Sequence, residues 1–271
     1  MPKLFFSALI LILQLLIGVG LTSAQDLTID ELEKMATKGD GWAQVTLGNN
    51  YLYGYGVHQD INLAKHWYEK AAAKDIGAAF FGLGQIYFEG KENPQNYVMA
   101  AKYFQKAADK NFPDAILALG DMYNQGIGVN RDEDLAETYY KKAAVLYEKE
   151  AEAGVGIAQY TLATLYASGV GVQYSQEKAK HWFNRALQIF QTEAAQGSSF
   201  ACYMLSIMYE YGDGVEQDIE LAQEWADMAH ELEQALRDKN ANSTTEQQND
   251  DEEPKDEQDL PSSVTDDDNL T

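Results

Sequence analysis

A phrase of fixed residue types returns five times along this chain, and it constrains the fold before any single residue is weighed. Its first copy reads Ala36-x-x-Gly39-x-x-x-Ala43-x-x-x-Leu47-Gly48-x-x-Tyr51-x-x-Gly54-x-Gly56-Val57-x-x-Asp60-x-x-x-Ala64-x-x-Trp67-x-x-x-Ala71. The tyrosine recurs as Tyr51, Tyr87, Tyr123, Tyr166 and Tyr209, at intervals of 36, 36, 43 and 43 residues. The same intervals separate Ala64, Ala100, Ala136, Ala179 and Ala222, and also Trp67, Tyr103, Tyr139, Trp182 and Trp225. Three columns in one register define a repeat array. Stacked helical repeats form long surfaces for holding other molecules more often than they form catalytic pockets.

Each column has a physical reason. Ala43, Leu47 and Tyr51 recur every four residues and so share one stripe of a short helix A, where Gly48 lets a neighbouring helix approach. Gly54 and Gly56 end that helix, because glycine readily takes the left-handed conformation found after helix C-termini. Asp60 is placed to cap helix B, which carries Ala64, Trp67 and Ala71 at helical spacing. Two amphipathic helices cannot bury both apolar stripes alone, so successive pairs must stack. The step from 36 to 43 residues adds about two helical turns after the expected end of helix B, around Val145 to Glu150 and Leu187 to Glu193. Such an insertion returns the helix to nearly the same face, so the third and fourth B helices are expected to be longer.

The string Leu47-Gly48-x-x-Tyr51-x-x-Gly54-x-Gly56-Val57-x-x-Asp60-x-x-x-Ala64-x-x-Trp67 resembles the Sel1-like repeat, a relative of the tetratricopeptide repeat. The resemblance covers about Ala36 to His230. It implies an all-α protein, a right-handed α-α superhelix of five helix-turn-helix repeats at about 36–71, 72–107, 108–143, 151–186 and 194–229, within a solenoid of residues 25–237. Departures are local. Repeat two has Glu92 and Asn93 where the second glycine and valine belong and Asn96 as its cap, so its turn is expected to differ in shape. Repeats four and five carry Ala163 and Ser206 at the close-approach glycine.

The two ends differ from the repeats. Met1-Pro2-Lys3, an apolar run from Leu4 to Leu21 and Thr22-Ser23-Ala24 form the three regions of a secretory signal, residues 1–24. An uncleaved anchor is the alternative reading. The sole cysteine, Cys202, is far from the signal, so neither a lipid attachment site nor an internal disulfide is available. That departs from the cysteine-rich secreted branch of the family and suggests a bacterial periplasmic protein. Residues 238–271 contain 12 acidic and 2 basic residues and read as a disordered acidic tail, holding 10 of the 23 net negative charges. The acidic balance argues against nucleic acid as a partner, since binding it requires a positive surface. No membrane association is expected once the signal is removed.

No residue pattern points to catalysis, a cofactor or a metal. Ser175-Gln176-Glu177-Lys178 matches the Ser-x-x-Lys arrangement of some serine acyl-transfer enzymes, but Ser175 falls in the capping column of Asp60, Asn96, Asp132 and Asp218. His58, His66, His181 and His230 are scattered. Cys202 shares a helix A column with Gln44, Phe80, Ile116 and Gln159 and reads as a half-buried structural thiol.

The resemblance to the tetratricopeptide architecture implies that the A helices line a concave groove. Two columns would face it: Asn49, Gln85, Asp121, Thr164 and Ile207, and Tyr53, Glu89, Gln125, Ser168 and Tyr211. With Phe200, the C-terminal end would be the more apolar. Polar side chains there can pair with an extended peptide, and aromatics supply anchors. The implied role is a non-enzymatic scaffold or adaptor in the periplasm that binds a protein or peptide. An immunity protein that neutralises a toxic effector is a second reading, and a cell-wall-related hydrolase a third that rests on family analogy alone. If the signal reading holds, the mature chain begins at Gln25, which mass spectrometry of the exported protein will show; an intact Met1 in that fraction would favour the anchor.

Overall fold

A computed structural model describes residues 27–90 and 96–251. The expected signal segment, the altered turn of repeat two at residues 91–95, and residues 252–271 lie outside the described residues. Within them eleven helices follow one another: α1 (Ile29–Thr37), α2 (Gly41–Tyr53), α3 (Ile61–Ala72), α4 (Gly77–Glu89), α5 (Tyr97–Asp109), α6 (Pro113–Gln125), α7 (Glu133–Glu152), α8 (Gly156–Ser168), α9 (Gln176–Ala195), α10 (Ser199–Tyr211) and α11 (Ile219–Asp251). The described residues contain no strand, and the helices form an all-α solenoid.

The A helices are α2, α4, α6, α8 and α10, each 13 residues long. Each ends at a glycine in the left-handed conformation, Gly54, Gly90, Gly126, Gly169 or Gly212. One backbone bond then closes every turn: the amide of Asp60, Asn96, Asp132, Ser175 or Asp218 donates to the carbonyl of the repeat's tyrosine at 2.8–3.0 Å. Side chains of the same five residues accept the amide three positions on, at 2.9–3.2 Å, and so cap helix B. The ends of the turn in repeat two are therefore held as in the others.

The B helices α3 and α5 have 12 and 13 residues, whereas α7 and α9 have 20. The two-turn extensions are thus helical, as the spacing predicts. Ala143, Ala151 and Phe190 on them are fully buried, and Ala194 nearly so. Tyr147, also on the extension of α7, is 1% exposed and was not singled out by the pattern.

Helix A approaches helix B at its glycine. A methyl group added at Gly48, Gly84 or Gly120 would lie 2.5 Å from the ring of Tyr68, Phe104 or Tyr140. Gly82 lies against the other side of Tyr68, so that ring is held between repeats one and two. The stacking produces one hydrophobic cluster running from Phe81 to Ala229 and two smaller ones, one between repeats one and two and one between α1 and repeat one. In the second of these, Leu32 and Ala36 of α1 pack with Leu47 and Trp67, so α1 covers repeat one as a short preceding B helix.

Periodicity stops near Arg237, yet α11 continues to Asp251 and takes in 14 residues of the segment read as tail. No glycine or proline interrupts residues 219–251; the first helix breaker is Pro254. Past the repeats, α11 reaches the first turn of the chain, where the Asn240 amide Nδ2 donates to the carbonyl of Gly56 at 2.8 Å.

The close approach makes a stability prediction. Gly84→Ala should cost about 1–3 kcal/mol, because the Phe104 ring must move; urea denaturation of the variant against the parent measures it.

Candidate interaction surface

The two groove columns separate into residues that build the wall and residues that face out of it. Asn49, Gln85 and Ile207 are buried, at 1%, 5% and 6% exposure. They support the A-helix face and do not present side chains to a ligand. Asp121, Thr164, Tyr53 and Glu89 are half-buried, while Gln125, Ser168 and Tyr211 are exposed. Tyr211 is the most open aromatic of the set, 49% exposed. Phe200 is half-buried, so the apolar C-terminal end rests chiefly on Tyr211.

The burial has a chemical reason. Tyr68 of α3 donates its hydroxyl to Asn49 Oδ1 at 2.6 Å, and Tyr140 of α7 donates to Asp121 Oδ1 at 2.8 Å. Tyr53 donates to Gln85 Oε1 at 3.1 Å, joining the two columns across repeats one and two. Asn49, Gln85 and Asp121 of the first column thus satisfy tyrosines of the B helices or the preceding A helix, whereas the Thr164 hydroxyl donates to the carbonyl of Thr161 in its own helix at 2.7 Å. A signal for this stands in the sequence: the position after the aromatic column is Tyr68, Phe104, Tyr140, Phe183 and Ala226, and tyrosine occurs where Asn49 or Asp121 can accept.

Residues with suggestive chemistry take structural places. Ser175 Oγ accepts the Lys178 amide at 3.2 Å, while Lys178 Nζ lies 4.8 Å over the Tyr166 ring. Cys202 is fully buried rather than half-buried, its thiol titrating above the usual range because of that burial. His66 and His181 are exposed, each edge-on to the tryptophan that follows it. Among the described residues no group of three or more His, Cys, Asp or Glu is gathered as metal ligands would be, and no helix is long and apolar enough to cross a membrane. The column shared by Cys202 has a role that reading along the chain missed. Gln44 Nε2 donates to the carbonyl of Ala36, and Gln159 Nε2 to that of Ala151, both at 2.9 Å, each tying an A helix to the end of the helix before it.

The model of the Sel1 repeat matches residues 43–76, 78–112, 113–144, 156–188 and 199–232. The chain belongs to the Sel1 repeat family. Among solved structures, a Sel1 repeat protein from Oxalobacter formigenes shares 32% identity over 75% of this chain and 78% of its own, with a TM-score of 0.43. A Sel1 repeat protein from Klebsiella pneumoniae shares 21% identity over 80% of this chain and 99% of its own, with a TM-score of 0.46. An immunity protein from Pseudomonas aeruginosa shares 20% over 87% and 84%, with a TM-score of 0.42. No curated protein matches the chain.

Within this Sel1 array the lengthened B helices carry a distinctive buried pair. Tyr147, on the added turns of α7, donates to Asp114 Oδ1 of α6 at 2.5 Å. Asp114 is 6% exposed, and burial pushes its carboxyl up to about 7, with Glu150 adding to the rise and the Tyr147 hydrogen bond opposing it. Burial likewise brings Asp121 up to about 6 against the bond from Tyr140, and raises Asp213, which accepts from Tyr160 at 2.6 Å.

An unfolded aspartate titrates near 4, so the folded state holds these protons more tightly. Their contribution to stability is fully present below about pH 4 and is lost as pH rises through about 6 to 7. The melting temperature should therefore be higher at pH 5 than at pH 8. In Asp114→Asn, which still accepts from Tyr147, the drop between these pH values should shrink by roughly 3 °C or more; thermal melts followed by circular dichroism give both numbers.

Proposed function

We propose that this Sel1 repeat protein is a non-enzymatic scaffold that holds a protein or peptide along its A-helix face, and that it does so after export to the periplasm. Sel1 repeats typically mediate contacts between proteins. The observation that carries the reading is how the residues divide. Glycines, alanines, tyrosines and capping residues of the repeat are absorbed by packing and turns, while the second groove column offers Gln125, Ser168 and Tyr211 to solvent on three of the five A helices. These positions differ in chemistry from repeat to repeat, from tyrosine through carboxylate, carboxamide and hydroxyl back to tyrosine, as expected of a surface shaped for one ligand.

The chemistry of that face fits a peptide better than a small substrate. Carboxamide and hydroxyl groups at one-repeat intervals can pair with a backbone, and Tyr211 supplies one rigid, amphipathic anchor near the C-terminal end. The net charge of −23 favours a partner with basic residues.

Full-length protein bearing an affinity tag should recover a partner from a periplasmic extract. Gln125→Ala with Tyr211→Ala should weaken the purified complex by about ten-fold or more while leaving the melting temperature unchanged. An undiminished affinity would remove the A-helix face from the reading. A partner that is a toxic effector would point to immunity instead of assembly.

A further inference from the structure

The second glycine of the turn, present in every repeat but the second, marks where one repeat receives the helix before it. A methyl group on Gly128 would meet the backbone of Tyr97 at 2.3 Å, on Gly171 that of Tyr140 at 2.4 Å, and on Gly214 the side chain of Phe183 at 2.6 Å. Tyr97 lies on α5, Tyr140 on α7 and Phe183 on α9, so in repeats three to five the turn rests on the preceding B helix. Repeat one has only the nine residues of α1 in that place. Its glycine, Gly56, is nonetheless buried, and a methyl group there would meet Asn240 and Leu236, both at 2.9 Å. The middle of α11, residues 233–240, lies against this turn instead.

Three side chains of α11 make the contact from one face. The Gly56 amide donates to Glu233 Oε2 at 3.3 Å, the Gly56 carbonyl accepts from Asn240 Nδ2 at 2.8 Å, and Leu236 lies between them against the glycine. Positions 233, 236 and 240 fall on one stripe of a helix. The second oxygen of Glu233, Oε1, accepts from the Ser199 hydroxyl at 2.6 Å, so this carboxylate bridges the first and last repeats. The fit is incomplete. A cavity of about 310 Å³ remains beside the contact, lined by Ile29, Tyr51, His58 and Arg237 among others. Arg237 Nε is buried there without a hydrogen-bond partner, and Leu236 stays 37% exposed. Well-matched interfaces pack to the density of a protein interior and satisfy their buried donors.

We propose that the first turn of the solenoid, around Gly56, is a docking site for an α-helix of a partner protein, and that α11 occupies it in cis as a replaceable clasp. The partner helix presents a carboxylate, a leucine-like side chain and a carboxamide at positions 0, +3 and +7 of one face. It gains over α11 by filling the space beside Ile29, Tyr51 and His58 and by bringing no buried donor without an acceptor, as α11 does with Arg237. Because the clasp is part of the chain, its local concentration at the site does not depend on the protein concentration, and the site opens only to a helix that fits better. The partner is the one invoked for the scaffold role, but the clasp is testable without it.

The probe is a labelled peptide of residues 226–247 of this chain, and the receptor is the full chain carrying Glu233→Ala and Asn240→Ala. Fluorescence anisotropy should show the peptide binding the double variant at least ten-fold more tightly than the parent, and a peptide carrying Leu236→Asp should fail to bind. Hydrogen exchange at residues 54–58 should rise in the variant while that of α6 to α9 stays unchanged. Full-chain Leu236→Asp serves as the receptor if the double variant does not fold. Equal binding to parent and variant, or unchanged exchange at 54–58 in a folded variant, overturns the proposal and leaves the A-helix face as the only interaction surface. Loss of partner capture in Gln125→Ala with Tyr211→Ala, alongside peptide binding as expected, would show the two surfaces to be separate.

Discussion

The stack depends on how closely helix A can approach helix B. In repeats one to three that distance is set by a glycine lying on an aromatic ring, Gly48 on Tyr68, Gly84 on Phe104 and Gly120 on Tyr140, with no room for a methyl group. The approach lets each pair bury both of its apolar stripes, and it presses the ring against the next repeat, as Gly82 against Tyr68 shows. Repeat five carries a different pair at these positions. There the ring position is Ala226 and the glycine position is Ser206, so the small residue has changed helices.

From that contact follow the buried polar groups. A tyrosine pressed against a glycine brings its hydroxyl into the interior, where an unpaired hydroxyl is costly. Asn49 and Asp121 supply the acceptors, and Asp114 and Asp213 do the same for Tyr147 and Tyr160. Residues that look like ligand contacts in a linear reading are in this way drawn into the wall of the groove. The groove that remains is narrower in composition than its two columns suggest, and it is built from Gln125, Ser168, Tyr211 and the half-buried positions between them.

The extension of α11 alters the topology of the array. A solenoid ordinarily has two open ends, each in need of a polar cap. Here α1 covers only part of the first end, and the last helix returns to cover the rest, so Glu233 touches Ser199 and Gly56 at once. The continuous core runs from Phe81 to Ala229, and repeat one joins it through smaller clusters.

The repeat count, the register, the two helix lengths and the capping residues are all legible along the chain. Each of these rests on interactions within about one repeat, which recur five times and so leave a periodic trace. Ser175 is likewise legible as a cap, because register outweighs a four-residue motif. Which groove residues are buried depends on packing between helices, since Asn49 lies 19 residues from Tyr68 and Gln85 lies 32 from Tyr53. The pairing of Gly56 with Asn240, 184 residues apart, left no periodic trace at all. Columns identify what every repeat shares; where the ends of the array meet depends on the summed curvature of all five, which no single repeat encodes.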